Sequence, residues 1–319
     1  MKKIIVLLGP TGVGKTAASV LLARELNTEI ISADSMQIYR HMDIGTAKPS
    51  EAERAGIRHH MIDIVEPSEA YSAGRYLSDV TPIIEGLFQQ GRTPIIVGGT
   101  GLYIKAMTRG IFNGPSSDLE LRDSLLAREE EHKGSLYARL CELDPEAANR
   151  IERNDIRRII RAIEVCMKSG SSISSLQKDL TMPLPYDFIK IGITRERDEL
   201  YQMIDARVDA MFRAGLVDEV KAIMRMSPDR TPLQAIGYKE IVRYLDHEID
   251  LHEAERLIKR NSRRYAKRQF TWFRQEEGII WIDVTGTNNG QEVFQAVKHA
   301  MVDISLRADA SQVTCRESA

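Results

Sequence analysis

Cysteine is scarce in this chain of 319 residues. There are three, Cys141, Cys166 and Cys315, far apart and in no CxxC or Cys/His spacing. That argues against a disulfide framework or a cysteine-ligated zinc site, and it suits a reducing compartment. Long apolar runs are missing as well. No stretch approaches the roughly 20 apolar residues that span a bilayer. The opening Met1-Lys2-Lys3 followed by Ile4 to Leu8 imitates a secretory leader, but the run is short and breaks at Gly9-Pro10 without a cleavage site. A cytoplasmic protein is expected. An excess of one charge is absent too: 44 Lys and Arg stand against 46 Asp and Glu, a net charge of −2. The bulk charge by itself therefore gives no sign of a nucleic-acid partner. There is no internal repeat, low-complexity segment or heptad pattern, and a monomer is expected.

What is present is an alternation of short apolar strands and helices. Ile4-Ile5-Val6-Leu7-Leu8 has the all-apolar pattern of a strand buried on both faces and stops at Gly9-Pro10. A helix is predicted from about Lys15 to Leu26. Further strands are predicted at Glu29–Ser32, Pro94–Val97, Phe188–Ile193 and, late in the chain, Gly278–Val284. This order predicts an α/β fold, a P-loop NTPase-like parallel sheet flanked by helices. Ligands in such sheets lie beyond the carboxyl ends of the strands. Between Gly114-Pro115 and Pro183-Leu184-Pro185 the pattern turns helical and charged, which predicts a helical insertion domain. The expected organisation is a core over 1–115 and 186–300, an insertion over 116–185 and a flexible polar tail over 301–319. Leu200, Ile204, Val208 and Met211 form one apolar stripe in the later helical region.

The strongest local signal is Gly9-Pro10-Thr11-Gly12-Val13-Gly14-Lys15-Thr16. G-x-x-x-x-G-K-[ST] after a strand and opening a helix is a phosphate-binding loop. Its glycines let backbone N–H groups close around phosphate oxygens, and the helix N-terminus adds favourable potential. Lys15 supplies a cation, and Thr16 offers a hydroxyl to Mg²⁺. The loop alone does not choose among ATP, GTP and other diphosphate esters. A motor-type ATPase would carry a second apolar strand ending in Asp to hold Mg²⁺. Here the later strand ends in Gly98-Gly99, and the strand-end carboxylate is Asp34. Asp34 reads either as a base or Mg²⁺-organising group facing the substrate, or as a helix N-cap.

From its first strand onward the chain resembles the tRNA dimethylallyltransferases, also called tRNA isopentenyltransferases. The resemblance is carried by the phosphate loop, by Ile31-Ser32-Ala33-Asp34-Ser35-Met36-Gln37-Ile38-Tyr39 and by Met42-Asp43-Ile44-Gly45-Thr46-Ala47-Lys48-Pro49. It continues in His59-His60-Met61-Ile62-Asp63, Tyr71-Ser72-Ala73, Val97-Gly98-Gly99-Thr100-Gly101, Asn154-Asp155, Ile236-Gly237-Tyr238-Lys239-Glu240 and Lys267-Arg268-Gln269-Phe270-Thr271-Trp272. It runs to about Asp283. It implies transfer of a dimethylallyl group from dimethylallyl diphosphate to N6 of adenine 37, beside the tRNA anticodon, with release of pyrophosphate. The phosphate loop then becomes a cradle for the leaving group, with Mg²⁺ as cofactor on Thr16. Asp34 takes the role of base toward the exocyclic amine, and Arg207 is favoured as an arginine on the diphosphate. Thr11 and Thr100 help position the reacting groups. The resemblance implies an anticodon stem-loop partner with the base flipped from its stack. The tRNA contacts it implies are Asp34, Ser35, Met36, Gln37, Thr100, Arg122, Arg157, Arg158, Ile159, Ile160, Arg161, Gly237, Tyr238, Lys239, Lys267, Arg268, Gln269 and Arg274.

Local charge agrees with an RNA partner. From Arg256 to Gln275 there are eight basic residues and no acidic one, with Tyr265, Phe270, Trp272 and Phe273 interleaved. Phosphate contacts supply most of the affinity for nucleic acid, and aromatic rings can stack on bases. The bland reading is a solvated helix face whose aromatics, Trp272 above all, belong to the core. His59 and His60 read as structural, since no ligand spacing accompanies them. Three competing functions share parts of the pattern: a small-molecule kinase, a free-nucleotide isopentenyltransferase and a non-catalytic RNA binder. By the resemblance a bacterial-type member is expected, without the zinc-finger extension of eukaryotic relatives.

Overall fold

The computed structural model describes residues 2–112, 114–287 and 289–301, apart from the side chains of 179 and 180. The tail expected over 301–319 lies, beyond 301, outside the described residues, and Cys315 lies there with it. The chain gathers into two compact units, one formed by the segment through Ile104 and the segment from Pro185, the other by Lys105–Leu184.

The first unit is built on β1 (Lys3–Leu8), α1 (Lys15–Glu25), β2 (Ile30–Ala33), α2 (Glu51–Arg54), β3 (His59–His60), α3 (Ala73–Gln89), β4 (Ile95–Gly98) and the start of α4 (Gly101–Thr108). The second unit contains α5 (Leu119–Glu131), α6 (Ser135–Leu143), α7 (Pro145–Arg150), α8 (Ile156–Ser169) and α9 (Ile173–Leu180). The first resumes with β5 (Asp187–Thr194), α10 (Arg197–Arg213), α11 (Leu216–Met224), α12 (Arg230–Leu233), α13 (Tyr238–Leu245), α14 (Leu251–Phe273) and β6 (Ile279–Asp283). Residues 290–301 are again helical.

The six strands form one sheet in the order β3-β2-β4-β1-β5-β6, and every pairing is parallel. Ile4 to Leu8 are all buried, as an all-apolar central strand requires. Each such side chain contributes about 1.5–3 kcal/mol on burial. β4 lies between β1 and β2, in a register that pairs Gly98 with both Leu8 and Ala33. The carboxyl ends of these three strands are therefore level, and the turns that follow them share one edge of the sheet. A Cβ on Gly98 would stand 2.2 Å from the Ala33 carbonyl oxygen, so this close approach admits only glycine. β3 was not foreseen: two residues at a sheet edge are too few to show a period.

α10 buries Leu200, Ile204 and Val208, the apolar stripe expected from its spacing, and Met211 packs partly buried in the same cluster as Val208. α14 buries Ala254, Leu257, Ile258, Ala266, Gln269 and Phe273 along its inner side. Gln269 is the single polar member of that row. Among the described residues no helix is long and apolar enough to cross a membrane.

The second unit is a helical cluster around Leu136, Leu140, Ile159 and Ile163. Glu164 of α8 is fully buried there. Its carboxylate accepts from the Asp118 N–H at 2.7 Å, from Arg122 at 2.8 and 2.9 Å and from Arg161 at 2.5 Å. Burial would push this carboxyl up, but the Arg122, Asp118 and Arg161 hydrogen bonds overcome it and bring the pKa to about 2. Its folded value is lower than its unfolded one, so the stabilisation is complete above the ordinary carboxylate range and fades as pH falls toward 2. Glu164→Gln removes the charge while leaving two guanidinium groups in place. A loss of about 3 kcal/mol is expected in this unit, read by chemical denaturation at pH 7, with the difference from wild type shrinking in acid.

Candidate active site

The phosphate loop joins β1 to α1 at the level edge of the sheet. Gly9 has φ +151°, and a Cβ there would approach the Ile193 carbonyl oxygen to 2.6 Å, so the loop can start only on glycine. Gly14 caps α1 with φ 101° and no side chain, and the first turn of the helix carries no acid. The N-terminal N–H groups of α1 thus keep their positive potential for an anion.

Lys15 folds back over the loop. Its Nζ donates to the Gly9 carbonyl at 2.8 Å and to the Pro10 carbonyl at 2.6 Å. Burial and the neighbouring Arg207 guanidinium lower its pKa to about 7, against a smaller opposing pull from Asp34. An anion in the loop favours the charged lysine, so binding is coupled to proton uptake. Calorimetry of pyrophosphate binding at pH 8 in two buffers of different ionisation enthalpy should show uptake of up to about one more proton in wild type than in Lys15→Met. Equal uptake in the two proteins would remove Lys15 from the site.

Arg207 projects from α10 to the same loop. Its Nη1 donates to Thr11 Oγ1 at 3.2 Å and its Nη2 to the Ala47 carbonyl at 3.4 Å. Burial pulls its pKa down, while the charge of Asp34 works in the opposite direction. Asp34 itself stands directly after β2. Its Oδ1 accepts from the Met36 N–H at 2.8 Å and the Gln37 N–H at 3.3 Å, whereas Oδ2 makes no hydrogen bond to a described residue. The base and cap readings are therefore compatible: one oxygen fixes the turn, and the other is left for a ligand. Across from it, after β4, Thr100 Oγ1 accepts from the Ser35 N–H at 3.0 Å. Tyr265 of α14 lies beside Thr100. Burial, followed by the charge of Asp34, pushes its hydroxyl up to about 12.

The structure thus gathers Thr11, Lys15, Asp34, Ser35, Thr100 and Arg207 at one sheet edge. Asp34 acts electrostatically on both Lys15 and Arg207. Thr16 lies exposed in the first turn of α1, where its hydroxyl can reach a ligand in the loop. Gln37 Oε1 accepts from Ser32 Oγ, and its Nε2 donates to the carbonyls of Thr46 and Ala47, all at 3.4 Å. Its amide therefore braces the loop that receives Arg207, beside the half-buried Met36.

Other expected site residues are placed differently. Tyr238 is fully buried and donates its hydroxyl to Glu219 at 2.6 Å. Gly237 precedes it at the N-cap of α13. Glu219 also accepts the N–H groups of Asp43, Ile44 and Gly45 at 2.7–2.9 Å, holding the loop between β2 and α2. Ile159 and Ile160 point into the core of the second unit, and Arg122 and Arg161 are tied to Glu164. The side chains of Tyr238, Ile159 and Ile160 are thus occupied in packing rather than offered to RNA. Arg157 and Arg158 are exposed on α8, and Lys239 lines an open cleft with Gln234, Arg243 and Asn261. On α14, Arg256, Lys259 and Arg263 are paired with Glu253, Asp209 and Asp205 respectively. Arg264, Lys267, Arg268 and the following Arg274 are exposed. Trp272 is half-buried and covers Gly101, while Phe273 is core. Among the described residues no group of three or more His, Cys, Asp or Glu side chains is placed to hold a metal ion; His59 Nδ1 lies 2.9 Å from the Ile57 carbonyl oxygen, and His60 pairs with Glu29.

Sequence reasoning missed Glu219 and the inward position of Gln269, and it offered Tyr265 only as a ring for stacking on bases. No local spacing announces them, since each acts on a loop far away in the chain.

Comparison with known proteins gives the family of the chain. The sequence profile of the family described as IPP transferase matches residues 37–276. A tRNA dimethylallyltransferase of Thermodesulfovibrio yellowstonii is 50% identical over 95% of this chain and 98% of its own length. That of Halothermothrix orenii is 46% identical over 95% of this chain and 94% of its own. Among solved structures, the tRNA isopentenylpyrophosphate transferase of Bacillus halodurans superposes with a TM-score of 0.72 at 40% identity, covering 98% of this chain and 100% of that one. A eukaryotic dimethylallyltransferase acting on tRNA gives 0.74 at 31% identity, over 90% and 75%.

Proposed function

The chain belongs to the IPP transferase family, and we propose that it transfers the dimethylallyl group of dimethylallyl diphosphate to N6 of adenine 37, beside the anticodon of its tRNA. That it is an enzyme moving a dimethylallyl group to tRNA follows from its family; the atom, the position and the residue roles are our reading. One observation carries it: an anion-receiving loop with Lys15 and Arg207 stands at the end of β1, and a carboxylate with one uncommitted oxygen, Asp34, stands at the neighbouring strand end.

The reaction breaks the allylic C–O bond and forms a C–N bond. Negative charge grows on the departing pyrophosphate. Loop N–H groups, Lys15 and Arg207 meet that charge, which is stabilisation where the transition state needs it. The acceptor is an exocyclic amine whose lone pair is delocalised into the ring. Asp34 Oδ2 accepts an amine N–H, orients the nitrogen and takes the proton as the new bond forms. Ser35, Met36 and Thr100 surround the flipped base and hold its neighbours. Mg²⁺ suits this donor set, because it takes few protein oxygens and completes its shell with water and phosphate. Thr16 would hold it against the diphosphate, where it would neutralise charge on the leaving oxygens.

The exposed row Arg264, Lys267 and Arg268 receives tRNA phosphates, with Arg157, Arg158, Lys239 and Arg274 as further contacts. Reversing Arg264, Lys267 and Arg268 together to Glu should flatten the slope of log K against log salt by about 2. An unchanged slope in filter binding would put the tRNA elsewhere. The chain acts as a monomer in the cytoplasm, where its acceptor is found.

Mass spectrometry of tRNA nucleosides after incubation with dimethylallyl diphosphate tests the reading. A prenyl mass on the nucleoside at position 37 is expected. Transfer to free AMP in preference to an anticodon stem-loop would favour the free-nucleotide alternative, and label from γ-phosphate in a metabolite would favour a kinase.

A further inference from the structure

Gln269 belongs to the segment whose outer residues are basic, yet its own side chain points the other way and is 6% exposed. Its Oε1 accepts from the Thr11 N–H at 3.0 Å, and its Nε2 donates to the Gly99 carbonyl at 2.9 Å. One partner is a donor and the other an acceptor, so the amide fits in a single orientation. Gly99 leaves room for the amide: a Cβ there would lie 2.3 Å from Gln269 Nε2 and would displace it. The two anchored points belong to the two halves of the reaction. Thr11 also receives Arg207 on its hydroxyl. Gly99 precedes Thr100, which holds the Ser35 N–H next to Asp34.

We propose that Gln269 is a positioning residue for group transfer: its amide ties the phosphate loop to the turn after β4 and so sets the leaving-group cradle at its working separation from Asp34. It touches neither substrate nor tRNA. The inference rests on the roles proposed above for Lys15, Arg207 and Asp34. Near-attack geometry tolerates little displacement, and a misplacement of about 1 Å can cost 10²-fold. An amide joined to two backbone groups is suited to prevent it.

Two readouts separate this role from an RNA contact. Gln269→Met keeps the length and removes both hydrogen bonds. Single-turnover transfer at saturating tRNA and donor should fall at least ~30-fold, while the Kd for an anticodon stem-loop and its salt slope stay within about 2-fold of wild type. The second variant is Gln269→Glu. A protonated carboxyl can still accept from Thr11 N–H and donate to the Gly99 carbonyl, whereas the carboxylate faces that carbonyl with a lone pair. Its rate relative to wild type at the same pH should therefore rise as pH is lowered. A wild-type rate in Gln269→Met, or a loss confined to tRNA affinity, overturns the proposal. Should Gln269→Met not fold, a pH-independent ratio for Gln269→Glu overturns it equally. Wild-type protein is assayed first: absence of transfer to adenine 37 there would sink the proposed function, not the role of Gln269.

Discussion

Asp34→Ala should lower turnover at least ~100-fold while leaving tRNA affinity nearly intact. The carboxylate is placed by β2 and its turn, and Oδ1 is already held by the Met36 and Gln37 N–H groups. On the proposed reading, loss of the side chain removes the group that orients the amine and accepts its proton. It also removes a negative charge that acts on Lys15 and Arg207. A second variant separates these effects. Asp34→Asn keeps the turn, because the amide oxygen still accepts from both N–H groups, but it cannot take a proton. If the base role holds, Asn should be nearly as slow as Ala under single-turnover conditions. If Asp34 serves only as a cap for the turn, Asn should restore the rate. Wild-type turnover in Asp34→Ala would remove the residue from the chemistry altogether.

Much of this site could be read in the sequence because its parts are local. The phosphate loop is contiguous, and the strand before it and the helix after it obey simple periods. Asp34 follows a strand and precedes a turn, so its place at the sheet edge needed only the order of the elements. The parallel sheet, shown by the register of β1, β2, β4, β5 and β6, followed from the same alternation. The members that stayed hidden act across the fold. Gln269 meets Thr11 at a separation of 258 positions, and Glu219 meets Asp43 at 176. No periodicity encodes such pairings; they exist only once α11 and α14 are packed. Charge misled for a related reason. The run from Arg256 to Arg274 looked uniformly basic, but α10 and the start of α14 supply Asp205, Asp209 and Glu253 to its earlier half. Among the described residues, the exposed cations of the run that form no ion pair are those near its end. The pairing of Arg122 and Arg161 with the buried Glu164 was equally invisible, since a charged residue in a helical stretch reads as solvated until the core is known.

Lys15→Met is expected to lower turnover about 10²–10³-fold, the range found when one donor to a developing anion is removed. The change preserves length and apolar bulk, so the loop should keep its shape. The loss should be in the rate at saturating donor, because charge on the diphosphate grows as the C–O bond breaks. A variant with a raised KM for donor and an unchanged saturating rate would mean that Lys15 binds ground state and transition state equally. Arg207 reaches the same loop from α10 through Thr11, and on the proposed reading the two cations share one anion. The combined Lys15→Met, Arg207→Met protein should therefore lose less than the product of the single effects.

The central claim is spatial: the departing anion and the carboxylate stand on opposite sides of one transfer step. It is tested most directly by a crystal structure with pyrophosphate or a non-reactive prenyl diphosphate and an anticodon stem-loop. Phosphate oxygens are expected at about 3 Å from Lys15 Nζ and the loop N–H groups, with N6 of the flipped adenine at a similar distance from Asp34 Oδ2. An anion seated away from Lys15, or an adenine facing anything other than Asp34, would contradict the account.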